Sequence, residues 1–175
     1  MTTDIRQSSG ASWPVVRCDA AVLGGGLAGV AASIHLSRAG LHVVCVEPEP
    51  FPHDRVGESL DWSAPALLAE IGLPCQRLLG ENAATFKRKI QVVAPGRPVS
   101  VGEPPEWWGA PPLRFERVTL HVDRREMDHQ LFKLAMELGV EILQDRGQEV
   151  VAEGERVVAV TTAGGRRIEA PWFVD

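Results

Sequence analysis

Two short apolar runs near the amino terminus enclose a glycine-rich turn and a stretch with helical character. The runs extend from Ala20 to Leu23 and from Val43 to Val46. Runs that are apolar at every position are typical of strands buried on both faces of a parallel sheet. The pattern therefore predicts a strand, a helix and a second strand in direct succession, preceded by a disordered polar tail over residues 1–17.

Helical periodicity returns in two places further along the chain. Between residues 124 and 139, apolar positions fall on one helical face and Gly139 ends the pattern. The residues of that face are Met127, Leu131, Leu134, Ala135 and Leu138. A shorter helix is predicted from about Trp62 to Gly72, because Gly72 and the proline that follows soon after it are helix-ending signals.

Alternating or short apolar stretches elsewhere predict strands. The alternation from Thr85 to Val93 predicts one half-buried strand. Residues 94–112 are rich in Pro and Gly and predict a long loop or an irregular β excursion. Trp107 and Trp108 in this loop either shape a substrate pocket or cover the core. A further short strand is predicted at 118–122. After the second helix, short strands are predicted at 140–143, 149–151, 157–161 and 167–170, and the chain stops on an apolar run at 172–174.

Composition and charge narrow the class of protein. The 175 residues contain 45% hydrophobic positions, enough for a sizeable core, and the net charge is −5 with basic residues scattered along the chain. This scatter argues against nucleic acid as a partner. Cys18, Cys45 and Cys75 show no metal-binding or disulfide spacing, and no stretch resembles a signal peptide or a membrane span. We therefore expect a cytoplasmic protein with no membrane, nucleic-acid or metal partner.

A glycine motif with GxGxxG spacing follows the first apolar run. Gly24 allows a tight turn, Gly26 leaves room for a pyrophosphate, and Gly29 lets the helix approach the strand closely. The helix begins with unpaired N–H groups and a positive dipole end, which stabilise an anion. Glu47 ends the next apolar run, where its carboxylate can accept hydrogen bonds from both ribose hydroxyls. The motif thus predicts a dinucleotide-binding βαβ unit; the alternative is a glycine turn in an unrelated α/β protein.

The order of motifs resembles that of a known superfamily. The chain contains, in order, GGGLAG, Glu47, the RVGESL loop, VDRREMDHQLFKLAMELGVEI and a β-meander ending in WFVD. This series of motifs is similar to the amino-terminal part of FAD-dependent monooxygenase-like proteins. These include aromatic hydroxylases, geranylgeranyl reductases and flavin-dependent halogenases. RVGESL followed by AEIGL and ATFKRKIQV is most similar to the tryptophan-halogenase-like branch. The resemblance implies an α/β fold, with a Rossmann-like FAD-binding domain over residues 18–175, and FAD rather than NAD as the cofactor.

The resemblance also implies roles for residues outside the glycine motif. The strap beside the flavin would consist of Gly57, Glu58 and Ser59. Arg124 would contact the cofactor near the diphosphate or the isoalloxazine edge, although a surface salt bridge with a nearby acid is the alternative. Asp128 is expected to brace the helix rather than to touch FAD. Val150 matches a position whose backbone meets the adenine.

Lys87 matches the catalytic lysine of the halogenase branch. In those enzymes reduced flavin, O2 and halide yield hypohalous acid, and the lysine delivers the electrophilic halogen to an aromatic or other electron-rich small molecule. The implied partners are this substrate and a separate flavin reductase. Two alternatives stay open: Lys87 is a solvated lysine on an edge strand, or Lys89 takes its place if the register shifts by two residues.

Two other functions remain compatible with the sequence. One is an FAD-dependent hydroxylase or geranylgeranyl-reductase-type enzyme, and the other is an inactive, truncated nucleotide-binding module. Truncation is expected because the glycine turn that follows WFVD in the superfamily, and a later Gly-Asp motif, are missing from the 175 residues. The region from about residue 80 to 122 is expected to belong to the substrate side. We expect the chain by itself to bind FAD weakly or not at all and to show no turnover.

Overall fold

A computed structural model of the chain describes residues 13–50, 53–61, 63–87, 90–94, 96–101 and 120–175. These residues form four helices and twelve strands. The helices are α1 (Leu27–Arg38), α2 (Ala64–Ile71), α3 (Cys75–Gly80) and α4 (Arg124–Glu137). The strands are β1 (Val15–Arg17), β2 (Ala20–Leu23), β3 (Val43–Val46), β4 (Ala84–Phe86), β5 (Ile90–Ala94), β6 (Arg97–Val101), β7 (Leu120–Val122), β8 (Glu141–Leu143), β9 (Gly147–Glu153), β10 (Arg156–Thr162), β11 (Arg167–Glu169) and β12 (Trp172–Val174).

The parallel sheet that supports the glycine turn has the strand order β12–β2–β3–β8, and every neighbouring pair in it is parallel. All of β3 and the first three residues of β2 are buried. Burial on both faces explains why the sequences of these strands are apolar at every position. The predicted α/β fold with a parallel sheet is confirmed, and α1 connects β2 to β3.

The β-meander forms a second sheet with the order β1–β11–β10–β9. β9, β10 and β11 pair antiparallel, whereas β1 joins β11 in parallel, with Val16 opposite Ile168. The prediction of a disordered tail over residues 1–17 is therefore wrong for Val15–Arg17, because these residues form a strand of this sheet. Val16 packs on the buried cluster that contains Ile168, which gives the strand its apolar anchor.

Two clusters of buried apolar side chains hold these layers together. The larger cluster joins β2 and β3 to α1, α2 and α4, and Ile34, Met127 and Leu131 within it are fully buried. The smaller cluster joins β3 to β11 through Val44 and Ile168. Burying one large apolar side chain stabilises a fold by about 1.5–3 kcal/mol. The clusters therefore fix β2 and β3, whose carboxyl ends carry the glycine turn and Glu47.

The single strand predicted from Thr85 to Val93 is wrong. The chain forms two short strands there, β4 and β5, which pair with β7 and β6 in separate two-stranded sheets. Phe86 is 54% exposed, so the apolar face that the alternation implies is not buried at this end. Lys87 consequently follows β4 and does not lie within a strand.

The two helices predicted downstream of the glycine motif are confirmed as α2 and α4. The short helix α3, which starts directly after Pro74, was not predicted. Within the described ranges, no helix combines the length and the apolar character needed to cross a bilayer.

Candidate functional site

The glycine turn joins the end of β2 to the start of α1. Gly24 has a φ of +103°, a left-handed conformation that favours glycine, and its N–H donates to the Val46 carbonyl at 2.8 Å. Gly29 lies in the first turn of α1, where a Cβ would come within 1.9 Å of the Gly24 carbonyl oxygen. A side chain at Gly29 would therefore push α1 away from β2.

Gly26 is the N-cap of α1. It provides no side chain to accept from the first N–H groups of the helix, and no acidic residue lies in the first turn. The amino end of α1 thus presents unpaired donors and a positive dipole end. This arrangement binds the phosphate groups of dinucleotides.

Glu47 follows β3, and its side chain is only 5% exposed. Its Oε2 accepts a hydrogen bond from the Gly25 N–H at 2.6 Å, and its Oε1 accepts one from the Glu49 N–H at 3.0 Å. A Cβ on Gly25 would lie 2.9 Å from the Glu47 Cβ, so the close approach of the turn to the carboxylate requires glycine here too. Glu47 therefore lies against the glycine turn, at the edge of the sheet where nucleotides bind.

Arg55 lies over the glycine turn. Its Nη2 pairs with Glu47 Oε2 at 3.0 Å, and a Cβ built on Gly26 would come within 2.8 Å of its Nη1. Its Nε donates to His53 Nε2 at 2.6 Å and lies 4.0 Å from Asp128 Oδ2. The guanidinium thus places a permanent positive charge beside the predicted phosphate site.

Arg124 begins α4 and forms a bidentate pair with Asp128 one turn later. The Nε–Oδ1 distance is 3.0 Å and the Nη2–Oδ2 distance is 2.9 Å, and the two side chains are 11% and 3% exposed. The Arg124 Nη1 donates to the Val56 carbonyl at 2.9 Å and lies 3.4 Å from the Gly57 carbonyl oxygen. The structure therefore pairs Arg124 with an acid, but this pair is buried and is not a surface salt bridge. Arg124 also binds the backbone at the start of the strap.

Backbone hydrogen bonds tie the strap, residues 57–59, to β7. The Val122 N–H donates to the Glu58 carbonyl at 2.8 Å, and the Leu60 N–H donates to the Leu120 carbonyl at 2.9 Å. The strap is therefore fixed between α4 on one side and the small β4–β7 sheet on the other.

Glu58 projects its carboxylate from the strap toward solvent. Hydrogen bonds from the backbone N–H groups of Glu58 and Gly57 lower the pKa of the Glu58 carboxyl. The residue lines a cavity of about 440 Å³, to which His121 and Arg125 also contribute. Glu58 therefore carries a negative charge at neutral pH at the mouth of this cavity.

Lys87 reaches the strap from the end of β4. Its Nζ donates to Ser59 Oγ and to the Leu60 carbonyl, both at 2.8 Å, and the residue is partly buried. The structure thus brings the predicted catalytic amine and the strap together. Other residues considered from the sequence lie outside the described residues: Lys89, Trp107 and Trp108.

A cavity of about 350 Å³ opens beside Gly24, at the carboxyl ends of β2 and β3. Val150 lines it from β9 with its side chain 63% exposed. The other apolar residues that line it are Leu23, Val46, Pro48 and Val160. A cavity of this size with apolar walls and a few polar groups suits a flat aromatic base.

Asp145 forms hydrogen bonds that hold the residues of the β-meander next to this cavity. Its carboxylate accepts hydrogen bonds from Thr162 Oγ1 at 2.6 Å, the Arg146 N–H at 2.8 Å, the Gly164 N–H at 2.9 Å and Arg166 Nη1 at 2.9 Å. Burial favours a higher pKa for Asp145, but these hydrogen bonds outweigh burial and hold the pKa below its usual value. Its N–H donates to the Glu47 carbonyl at 3.2 Å, which links the meander to the acid.

The nucleotide edge, defined as the glycine turn, Glu47 and the cavity lined by Val150, has the features that adenosine diphosphate requires. It offers unpaired helix N–H groups, an arginine beside Gly26, a buried carboxylate and an apolar cavity. Sequence reasoning missed Gly25 and Arg55. The signal for Arg55 was its place in a loop that leaves the carboxyl end of β3, where an arginine can meet a bound phosphate.

Comparison with known proteins identifies the family of the chain. The family model for lycopene cyclase protein matches residues 19–175. A 1H-pyrrole-2-carbonyl-(peptidyl-carrier protein) brominase from Pseudoalteromonas luteoviolacea (strain 2ta16) is 31% identical over 140 residues, which cover 80% of this chain and 32% of the brominase. Tryptophan 2-halogenase from Chondromyces crocatus is 33% identical over 149 residues, which cover 79% of this chain and 25% of the halogenase. The chain thus spans about a third or less of the length of these relatives.

The solved structure of a flavin-dependent brominase shares the fold. It matches with a TM-score of 0.74 at 24% identity, covering 91% of this chain and 38% of the brominase chain. The fold is thus the Rossmann-like one of FAD-binding proteins, and FAD is the cofactor. Because the family model matches nearly all of the described residues, the chain belongs to the lycopene cyclase protein family, a family of FAD-dependent oxidoreductases, and has flavin-dependent halogenases among its relatives.

Proposed function

We propose that the protein is a flavin-dependent halogenase, which uses reduced FAD, O2 and halide on an aromatic or other electron-rich small molecule. Two of its relatives are a brominase and a tryptophan halogenase. The structural observation that carries the proposal is the contact of Lys87 Nζ with Ser59 Oγ at 2.8 Å, which places an amine against the strap. A separate flavin reductase supplies the reduced cofactor.

The nucleotide edge holds the adenosine diphosphate half of FAD in this proposal. Gly24, Gly26 and Gly29 form the turn at the diphosphate, and the N–H groups of α1 donate to it. Glu47 binds the ribose, and the backbone at Val150 meets the adenine. The carboxylate also disfavours a 2′-phosphate, because two negative charges would meet there.

The strap lies beside the flavin, and Arg124 positions it. All three guanidinium nitrogens of Arg124 donate to oxygens of this chain, those of Asp128, Val56 and Gly57. We therefore assign Arg124 to positioning of the strap, with Gly57, Glu58 and Ser59 facing the cofactor. The region from about residue 80 to 122 belongs to the substrate side.

Lys87 transfers the halogen. Bound reduced FAD supplies the two electrons with which O2 and halide give hypohalous acid and water. Lys87 Nζ takes the halogen from hypohalous acid, and one of its N–H protons leaves with the hydroxide as water. The halogen then passes to an aromatic carbon, which loses a proton, and the amine is restored. Ser59 Oγ and the Leu60 carbonyl hold Nζ in place before transfer.

The test is halogenation by the full-length gene product, supplied with a flavin reductase, NADH, FAD, O2, bromide and a pyrrole or indole substrate. We expect a brominated product by mass spectrometry, and we expect Lys87→Met to abolish it without loss of FAD binding. Lys133→Met, which removes an exposed lysine on α4, is the matched control and is expected to keep full activity.

Three results would contradict the halogenase proposal. Halogenation that survives Lys87→Met would remove Lys87 from the chemistry. NADPH oxidation without halide or reductase would indicate a hydroxylase, and reduction of a substrate double bond would indicate a geranylgeranyl-reductase-type enzyme. Nucleotide binding without consumption of O2 or reductant would indicate an inactive nucleotide-binding module.

A further inference from the structure

Arg55 connects the two places at which the nucleotide edge meets its ligand. Its Nη2 pairs with Glu47 Oε2 at 3.0 Å, at the predicted ribose site. Its Nη1 lies where a side chain on Gly26 would project, since a Cβ there would be 2.8 Å away. Gly26 is the glycine whose missing side chain makes room for the diphosphate. One guanidinium therefore spans the ribose site and the phosphate site.

Glu47 has little capacity left for a ribose in this arrangement. A carboxylate offers about four acceptor positions, and described residues already supply three donors, namely Gly25 N–H, Glu49 N–H and Arg55 Nη2. Two of these donors belong to the backbone and cannot leave without moving the turn or the end of β3. Arg55 is the donor on a side chain, so a rotamer change can displace it without moving the backbone, and its Nε contacts with His53 and Asp128 change with it.

The carboxylates of Glu47 and Asp128 attract the Arg55 guanidinium when no ligand is bound, and the amino end of α1 opposes them. The amino end of α1 has no acidic residue in its first turn, so its positive dipole end repels a guanidinium placed there and attracts a phosphate. A phosphate at Gly26 neutralises both positive groups and gives Arg55 a stronger partner, because arginine pairs bidentately with phosphate.

We propose that Arg55 is a specificity-determining residue that makes ribose recognition depend on phosphate. A phosphate bound at Gly26 draws the guanidinium away from Glu47, and the released carboxylate oxygen then accepts from the ribose. Adenosine alone provides no anion, so it meets a carboxylate still paired with Arg55. The site thereby selects phosphorylated adenosine ligands over the nucleoside. This inference rests on the nucleotide-binding part of the proposed function and not on halogenation.

The test compares the affinities of adenosine and ADP, measured by calorimetry for the full-length gene product and its Arg55→Met variant. We expect wild type to prefer ADP, and we expect the ratio of the two dissociation constants to shrink by about tenfold or more in the variant, since a charge-assisted contact with the phosphate is lost. Adenosine binding is expected to tighten, because Glu47 is released. Arg17→Met, which removes an arginine 76% exposed and paired with Glu169, is expected to leave both affinities unchanged.

Arg55→Lys shows whether the effect of Arg55→Met comes from a folding defect. Lysine keeps the positive charge but lacks the planar guanidinium that can form two parallel hydrogen bonds. This variant is expected to show an intermediate ADP preference, with an unfolding midpoint close to that of wild type. An unchanged ratio in both variants would overturn the inference, and so would wild-type protein that binds adenosine as tightly as ADP. Failure of halogenation leaves these affinities unaffected, so the two proposals fail separately.

Discussion

At the residue scale, the nucleotide edge depends on four charged side chains that alternate in sign. Glu47 pairs with Arg55, Arg55 approaches Asp128, and Asp128 pairs with Arg124. The two carboxylates are 5% and 3% exposed. Burying a charge is costly unless partners compensate it, so removing one member weakens the compensation of its neighbour. Within the described part of the loop that follows β3, Arg55 is thus held by two buried carboxylates.

Breaking the Arg124 pair is expected to destabilise the protein strongly. Arg124→Gln leaves Asp128 buried without its bidentate partner, and a cost of about 3–5 kcal/mol is expected in urea unfolding. Arg77→Gln breaks a pair of the same spacing with Glu81, but both side chains there are 48% exposed. That control is expected to cost less than about 1 kcal/mol. Equal costs for the two variants would show that the buried pair has no special role.

At the element scale, the strand–helix–strand unit was predictable because its signals are local. The apolar runs of β2 and β3 and the glycines between them lie within one short segment. The strand predicted from Thr85 to Val93 failed because β4 pairs with β7 and β5 pairs with β6, and alternation alone does not reveal such partners. The end of β4 next to Lys87 is thus set by pairing with β7, which lies far along the chain.

The contact between α1 and β2 is expected to tolerate no side chain at Gly29. In Gly29→Ala the new Cβ would lie 1.9 Å from the Gly24 carbonyl oxygen, so helix and turn must separate. We expect a loss of about 3 kcal/mol, at the upper end of the usual cost of overpacking. Gly80→Ala is the matched control, because a Cβ there meets nothing within 4 Å. If thermal unfolding shows Gly29→Ala to be as stable as Gly80→Ala, the close approach is not required.

The turn between β8 and β9 is expected to show acid-dependent stability through Asp145. Its pKa is lower in the folded protein than in the unfolded chain, so its contribution is complete above the unfolded pKa and is lost as pH falls through the folded value. Asp145→Asn is expected to cost about 1–3 kcal/mol at pH 7, and the difference from wild type is expected to shrink below about pH 4.

Urea unfolding of both proteins at pH 7 and pH 3 checks this dependence. Glu153→Gln, at an exposed position on β9, is the control and is expected to show no such change with pH. A difference between wild type and Asp145→Asn that stays constant with pH would contradict the assignment.

At the scale of the whole molecule, the nucleotide edge forms where the two sheets meet. The Asp145 N–H donates to the Glu47 carbonyl, and Val44 packs with Ile168 between the sheets. Part of this edge was predictable because its residues belong to a sequence motif with fixed spacing. These residues are Gly24, Gly26, Gly29 and Glu47. The place of Arg55 was not predictable, because its partners come from the turn, the end of β3 and α4, which only the folded chain brings together.

The most direct test of the account is the affinity of the full-length gene product for ADP after Gly26→Ala. Among the described residues, a Cβ at Gly26 meets only the end of the flexible Arg55 side chain, so we expect the variant to fold with nearly wild-type stability. It also projects into the space that the diphosphate needs, so the dissociation constant for ADP is expected to rise about tenfold or more, equivalent to about 1.4 kcal/mol. Gly80→Ala is expected to bind as wild type does. A folded Gly26→Ala variant that binds ADP with unchanged affinity would contradict the claim that this turn holds the adenosine diphosphate half of FAD.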